Sequence, residues 1–199
     1  MERFRVLTGR TVMLPLDDVD TDQIIPARFL KGTTRTGLGQ GLFSDRRYTP
    51  DGAPRPEFPL NRKEAAGAPV LVVGRNFGCG SSREHAVWAL FDQGFRAVIA
   101  TSFADIFRGN ALKNGLVPAA LAPEAHARLA ATPGAEVTVD LVAQAVTLPD
   151  GTRAPFAVDP FARHCLMEGI DELDFLMGQE ASIAAFEAVQ GNAPRGGSR

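Results

Sequence analysis

The run Pro69-Val70-Leu71-Val72-Val73-Gly74 constrains the fold of this chain most. A stretch with no polar side chain cannot alternate between a wet and a dry face. It therefore reads as a strand buried on both sides, the kind found in parallel sheets covered by helices. A Gly-rich turn follows, then the helical pattern Glu84 to Gln93, then a second apolar strand at Ala97-Val98-Ile99-Ala100. A helix at about Ala104 to Lys113, closed by Gly115, leads into a short strand at Leu116-Val117-Pro118. Strand and helix alternating in this way predict a parallel βαβ core.

The flanks read differently. Arg10 to Leu16 predicts an opening strand that runs into the acidic turn Asp17-Asp18-Val19-Asp20-Thr21-Asp22, where short side chains can bond their own backbone. From Lys31 to Pro59 the chain is rich in Gly, Thr, Arg and Pro, which predicts a long irregular loop over about 32–59, mobile without a partner. After a helix near Pro123 to Ala131, the alternation in Glu136–Asp140 and Ala145–Leu148 predicts antiparallel strands, with Pro149-Asp150-Gly151-Thr152 turning into a third. Helical stretches at about Pro160 to Glu168 and Gln179 to Gln190 close the folded part. Residues 191–199 have no apolar anchor and are expected to be a disordered tail. The expectation is thus a single α/β domain over 1–190, with a parallel βαβ core plus antiparallel strands.

Composition removes several function classes. Lys plus Arg number 21 against 23 Asp plus Glu, a formal charge of −2, so no broad cationic field exists for nucleic acid or an anionic membrane. No apolar run approaches the roughly 20 residues that span a bilayer, and no signal-peptide pattern opens the chain, so a soluble cytoplasmic protein is expected. Cys79 and Cys165 are too few for a disulfide framework and show no Cys-x-x-Cys spacing, so no metal is expected on this chain.

Chemistry concentrates where the buried strand ends. Arg75-Asn76-Phe77-Gly78-Cys79-Gly80 turns into Ser81-Ser82-Arg83-Glu84, setting two hydroxyls and a guanidinium at a helix N-terminus, where backbone N–H groups favour anions. Gly78 and Gly80 permit positive φ and close ligand approach, and Ser81 or Ser82 is placed to cap the helix. Glycine, serine and glutamate in this order also describe an ordinary capped helix. Arg83 adds to that pattern: a cation in the first turn opposes the helix dipole, a cost that an anionic partner gripped in bidentate fashion would offset. A nucleotide phosphate fits poorly, because neither G-x-x-x-x-G-K-[ST] nor G-x-G-x-x-G is present. A dicarboxylate is the better occupant.

Asn76-Phe77-Gly78-Cys79-Gly80-Ser81-Ser82-Arg83-Glu84-His85-Ala86 resembles the serine-serine-arginine signature of the aconitase swivel domain, in the form carried by bacterial small subunits of 3-isopropylmalate dehydratase. Asp18–Pro26, Thr34–Gly37, Ser102–Phe107, Gly109-Asn110 and Arg163–Cys165 resemble that family in the same order, so the similarity covers nearly all of the chain except the tail.

The resemblance implies a swivelling β/β/α domain of the aconitase domain-4 type. It further implies a hydro-lyase that interconverts 2- and 3-isopropylmalate through isopropylmaleate in leucine biosynthesis. Activity would require a large subunit carrying a four-iron, four-sulfur cluster, with no cofactor on this chain. On the family pattern Ser81 is the catalytic base, Arg83 binds a substrate carboxylate and supports the serine alkoxide, and Ser82 and Gly80 help bind substrate. Thr21 and Asp22 are expected to orient these groups. Phe29, Leu30, Lys31 and Arg35 are expected near the substrate side group, with Arg35 standing in for the aconitase loop arginine. Lys31 and Arg35 keep a homoaconitase-type substrate open; a methyl-substituted malate is a further alternative within the class, and an alternative of another class is a carboxylate-binding or assembly module without turnover. Cys79 is expected to pack beneath the turn, His85 to bond nearby backbone, and His126 to sit on an exposed helix.

Overall fold

The computed structural model describes residues 1–30 and 34–191. Lys31, and the 192–199 part of the expected tail, lie outside the described residues. Strands β1 (Val6–Leu14), β2 (Val70–Val73), β3 (Ala97–Ala100), β4 (Val117–Ala120), β5 (Glu136–Asp140), β6 (Ala145–Thr147) and β7 (Arg153–Pro155) form a seven-stranded sheet in the order β4-β3-β2-β1-β5-β6-β7. β1 joins the two halves. Its Val6–Arg10 segment pairs antiparallel with β5, and Thr11–Leu14 pairs parallel with β2. β2, β3 and β4 continue in parallel, whereas β5, β6 and β7 form an antiparallel meander.

The helices are α1 (Thr21–Ile24), α2 (Ser44–Arg47), α3 (Glu84–Asp92), α4 (Asp105–Lys113), α5 (Pro123–Ala130), α6 (Pro160–Glu168), α7 (Glu172–Met177) and α8 (Glu180–Gly191). The two-sided burial read from the sequence has a direct structural cause. Leu71 and Val73 of β2, with Val98 and Ala100 of β3, face one core cluster together with Val87 and Leu90 of α3. Val70, Val72, Ala97 and Ile99 point the opposite way, into a second cluster with Leu129, Val137 and Val139. Successive strand residues alternate between faces, so a strand covered on both sides must be apolar at every position. β5 is covered on one face only: Val137 and Val139 are buried while Glu136 is exposed.

Several details differ from the sequence reading. The first strand begins at Val6 and ends at Leu14, because its leading residues are secured by β5, far away in sequence. The described part of the 32–59 segment contains a 3-10 turn at Leu38–Gly41 and the short helix α2, and it buries Leu38, Leu42, Phe43 and Phe58 in the first core cluster. Low periodicity in the sequence concealed these anchors. α7 was also missed, although its capping box, Asp171 with Asp174, is visible as an acidic pair three residues apart. His126 is not simply exposed: its Nε2 lies 2.6 Å from the carbonyl oxygen of Val73, at the end of β2. Among the described residues no helix is long and apolar enough to cross a membrane.

Candidate active site

The site forms where three segments leave the carboxyl ends of parallel strands, the usual crevice of an open α/β sheet. Asp17–Asp20 leaves β1, Arg75–Ser82 leaves β2 and Thr101–Ala104 leaves β3. Parallel bridges Asp20↔Cys79 and Phe77↔Phe103 stitch them together. The acidic turn serves this stitching more than its own backbone. Asp17 accepts from the Arg75 N–H at 2.8 Å, while Asp18 accepts from the Arg75 guanidinium at 2.8 Å and the Asn76 amide at 2.9 Å. Asp20 alone in this run plays the expected local part, capping α1 through the Gln23 N–H at 2.7 Å.

Two glycines let the β2 exit bend tightly. Gly78 has φ +78°, and a Cβ there would lie 2.2 Å from Cγ of the buried Phe107 ring. Gly80 has φ +89° and faces Asp20. Cys79 between them is half-buried and donates its S–H to the Asp18 carbonyl at 3.4 Å. Burial first, then the nearby Asp20 and Asp18 charges, push its thiol pKa up. The thiol is therefore kept protonated, as a packing residue and not a nucleophile.

Thr21 clamps the turn from the opposite edge. Its N–H donates to the Cys79 carbonyl at 2.9 Å and its hydroxyl to the Ser81 carbonyl at 2.8 Å. Ser81 itself is exposed. It opens onto a cavity of about 260 Å³ whose walls include Thr21, Gly80, Arg83, Ile106 and Phe107.

Arg83 departs from the sequence expectation. It is the N-cap residue of α3, with extended backbone (φ −136°, ψ 102°), and its own side chain makes no capping hydrogen bond. Among the described residues neither Ser81 nor Ser82 performs the capping expected of them. The Arg83 guanidinium does not oppose the dipole from within the first turn; it reaches across to Asp22. Both terminal nitrogens engage the carboxylate, the Nη2–Oδ2 pair at 2.9 Å. The first turn of α3 is held from below instead. Asn114, at the end of α4, donates to Glu84 Oε1 at 2.7 Å and accepts from the Trp88 indole at 2.9 Å. Sequence reasoning passed over Asn114 because a lone polar residue after a helix carries no motif.

The remaining expected residues are scattered. Ser82 is exposed and, like Phe29, Leu30 and Arg35, is absent from the cavity wall among the described residues. Phe29 is half-buried with its ring flat against Gly41, where an added Cβ would approach within 2.8 Å. Leu30 packs against the first core cluster, and the Arg35 guanidinium lies 5.1 Å from the centre of the Trp88 ring. The His85 ring packs against Trp88, 4.6 Å between centres. No three His, Cys, Asp or Glu side chains among the described residues are grouped as metal ligands would be, so this set does not fit an iron–sulfur cluster.

Comparison with known proteins shows the family of the chain. The model of the aconitase C-terminal domain matches residues 1–124. A second model, LeuD_N, matches residues 127–160. A 3-isopropylmalate dehydratase small subunit from Anaeromyxobacter dehalogenans (strain 2CP-C) is 66% identical over 187 residues, covering 94% of this chain and 98% of that one. The chain belongs to the 3-isopropylmalate dehydratase small-subunit family. A small subunit from Chloroflexus aurantiacus is 58% identical over 192 residues, covering 94% of this chain and 96% of its own length. The crystal structure of a family member from Methanocaldococcus jannaschii superposes with a TM-score of 0.67 at 29% identity, covering 90% of this chain and 98% of that one. The mixed sheet, part parallel and part antiparallel, is thus the fold of this family.

Proposed function

We propose that this chain is the small subunit of an isopropylmalate hydro-lyase. With a large subunit it interconverts 2- and 3-isopropylmalate in leucine biosynthesis, by loss and return of water through isopropylmaleate. One observation carries the mechanistic reading: the exposed Ser81, together with Arg83, lines one small cavity beside the N-terminus of α3. Ser81 takes the proton from the carbon next to a substrate carboxylate and returns it in the reverse direction. A free serine hydroxyl is far too weak an acid to become that base unaided, so its anion needs a fixed cation and oriented dipoles in a site closed to water. Arg83 and the α3 N-terminus supply the first two.

Arg83 has five N–H donors, and Asp22 engages both terminal nitrogens in a way that leaves further N–H groups for a substrate carboxylate. Asp22 and Thr21 act by holding Arg83 and the Ser81 turn, respectively. Gly80 and Ser82 are assigned to carboxylate binding, and Phe29, Leu30 and Arg35 to the substrate side group once the partner closes over them. The exposure of Ser81 calls for that partner. We place on the large subunit the four-iron, four-sulfur cluster that the family resemblance implies, and the complex in the cytoplasm.

Anaerobic reconstitution with a cognate large subunit tests this. Isopropylmaleate absorbance is expected to change with either isopropylmalate, faster than with homoaconitate or a methyl-substituted malate. Ser81→Ala is expected to lower kcat by about 10²–10⁴-fold while association persists. Full activity in that variant would remove Ser81 as the base, and absence of isopropylmaleate turnover by the wild-type complex would remove the reading.

A further inference from the structure

A second feature lies away from Ser81, on the outer side of α4, α6 and α7. A cavity of about 440 Å³ is walled by Leu112, Phe161, Cys165 and Leu173, with Asp171 and Glu172 at its edge. Beside it, α7 is seated by Phe175, whose ring packs edge-on against Phe161 at 4.9 Å and against His164 at 5.8 Å. That seating turns Leu173, Leu176 and Met177 outward, 66%, 55% and 65% exposed. α8 adds Ile183 and Phe186, also exposed. Large apolar side chains left exposed on two helices consecutive in the chain mark a surface that another protein covers.

The charges around this surface select the partner. Residues 159–188 carry seven Asp or Glu and a single Lys or Arg, Arg163; two of the seven are paired from outside the segment, Glu172 by Lys113 at 3.3 Å and Glu168 by Arg5 at 2.9 Å, which still leaves an acidic excess although the whole chain is only −2. A second copy of the chain docking through the same face would bring these acidic rims together, a repulsive arrangement. A partner with Lys or Arg around an apolar groove suits it instead.

Position supplies the other argument. Ile106, 56% exposed, lines the Ser81 cavity, whereas Gly109 and Lys113 of the same helix line the second one. These residues recur on one helical face over about 10 Å of α4, so a subunit that closes the first cavity reaches the second without crossing a gap.

We infer that the acidic apolar face of α7 and α8, with the cavity beneath Leu173, docks the large subunit through an apolar segment bordered by Lys or Arg. The inference rests on the reading that a large subunit completes the Ser81 site. It makes this face an anchor separate from the chemistry, so its loss should weaken assembly and spare turnover within the assembled complex.

The test is titration calorimetry of the full chain with the intact large subunit. Leu176→Glu/Phe186→Glu is expected to weaken association by at least tenfold, with circular dichroism and melting unchanged and kcat restored at saturating large subunit. Glu180→Lys/Glu187→Lys tests the rim without touching the apolar positions, and is expected to weaken association and reduce its salt dependence. Wild-type affinity in both variants would overturn the inference. A change confined to self-association in sedimentation would overturn it in favour of a second copy. If the wild-type chain itself fails to bind the large subunit, the functional reading fails with it, a result distinct from either variant outcome.

Discussion

Asp22→Asn removes the charge that holds Arg83 while keeping the size of the side chain, and the structure sets the scale of the effect. The Arg83 side chain is 17% exposed and that of Asp22 57%, so the pair is half in water. Solvent screening limits its value to stability to about 1 kcal/mol or less. For a chain of this length the melting temperature should therefore fall by only about 2–4 °C. The effect on chemistry is larger. Without its anchor the guanidinium gains rotamer freedom at the entrance to the Ser81 cavity, and misplacement of a positioning group by an ångström is worth up to about 10²-fold. We expect kcat/KM to drop by about 10–100-fold in the reconstituted enzyme, with kcat falling and KM rising together. Steady-state kinetics on isopropylmalate, read beside thermal melts, separates the two scales. Asp22→Glu should recover part of the loss. If Asp22→Asn instead lowers KM and leaves kcat unchanged, Asp22 competes with substrate for Arg83, and the assignment of Asp22 as its support is wrong.

Other outcomes follow from local geometry. Gly78→Ala is expected to destabilise the chain by about 2–4 kcal/mol, combining the positive-φ penalty with overpacking against Phe107. Gly109→Ala, with open space around its Cβ inside α4, should raise stability by about 0.5–1 kcal/mol, and thermal melts of the two compare them directly. Cys79, with its pKa raised by burial and two carboxylates, should react with iodoacetamide at neutral pH more slowly than a free thiol. Because the folded chain holds that proton more tightly, the associated stability is full below the ordinary thiol pKa and is lost as pH rises through the folded value. Mass spectrometry against pH reads the alkylation, and fast labelling at neutral pH would contradict the assigned environment.

Much of the sheet could be read from residue patterns because those patterns are repeated. Burial on both faces requires β2 and β3 to be apolar throughout, and one-sided burial requires β5 to alternate, so each strand is specified several times over. The serine, arginine and glycine cluster was visible because it is contiguous. The C-terminal limit of β1 and the packed segment after residue 34 were harder. The first depends on where β2 ends alongside it, and the second on a few anchors such as Leu42 and Phe43 set among turn-forming residues.

The sequence by itself determined the layers, the order of strand and helix through the core, and the turn that carries Ser81, since backbone periodicity and glycine placement are properties of neighbouring residues. The tertiary structure alone decided what those residues touch. Asp22 meets Arg83 across a separation of 61 residues, Thr21 fastens the Ser81 carbonyl from another strand exit, and Asn114 braces the helix from beneath. Such contacts exist only once three strand ends are brought side by side, because a side-chain pairing has no period and leaves no trace in the local pattern.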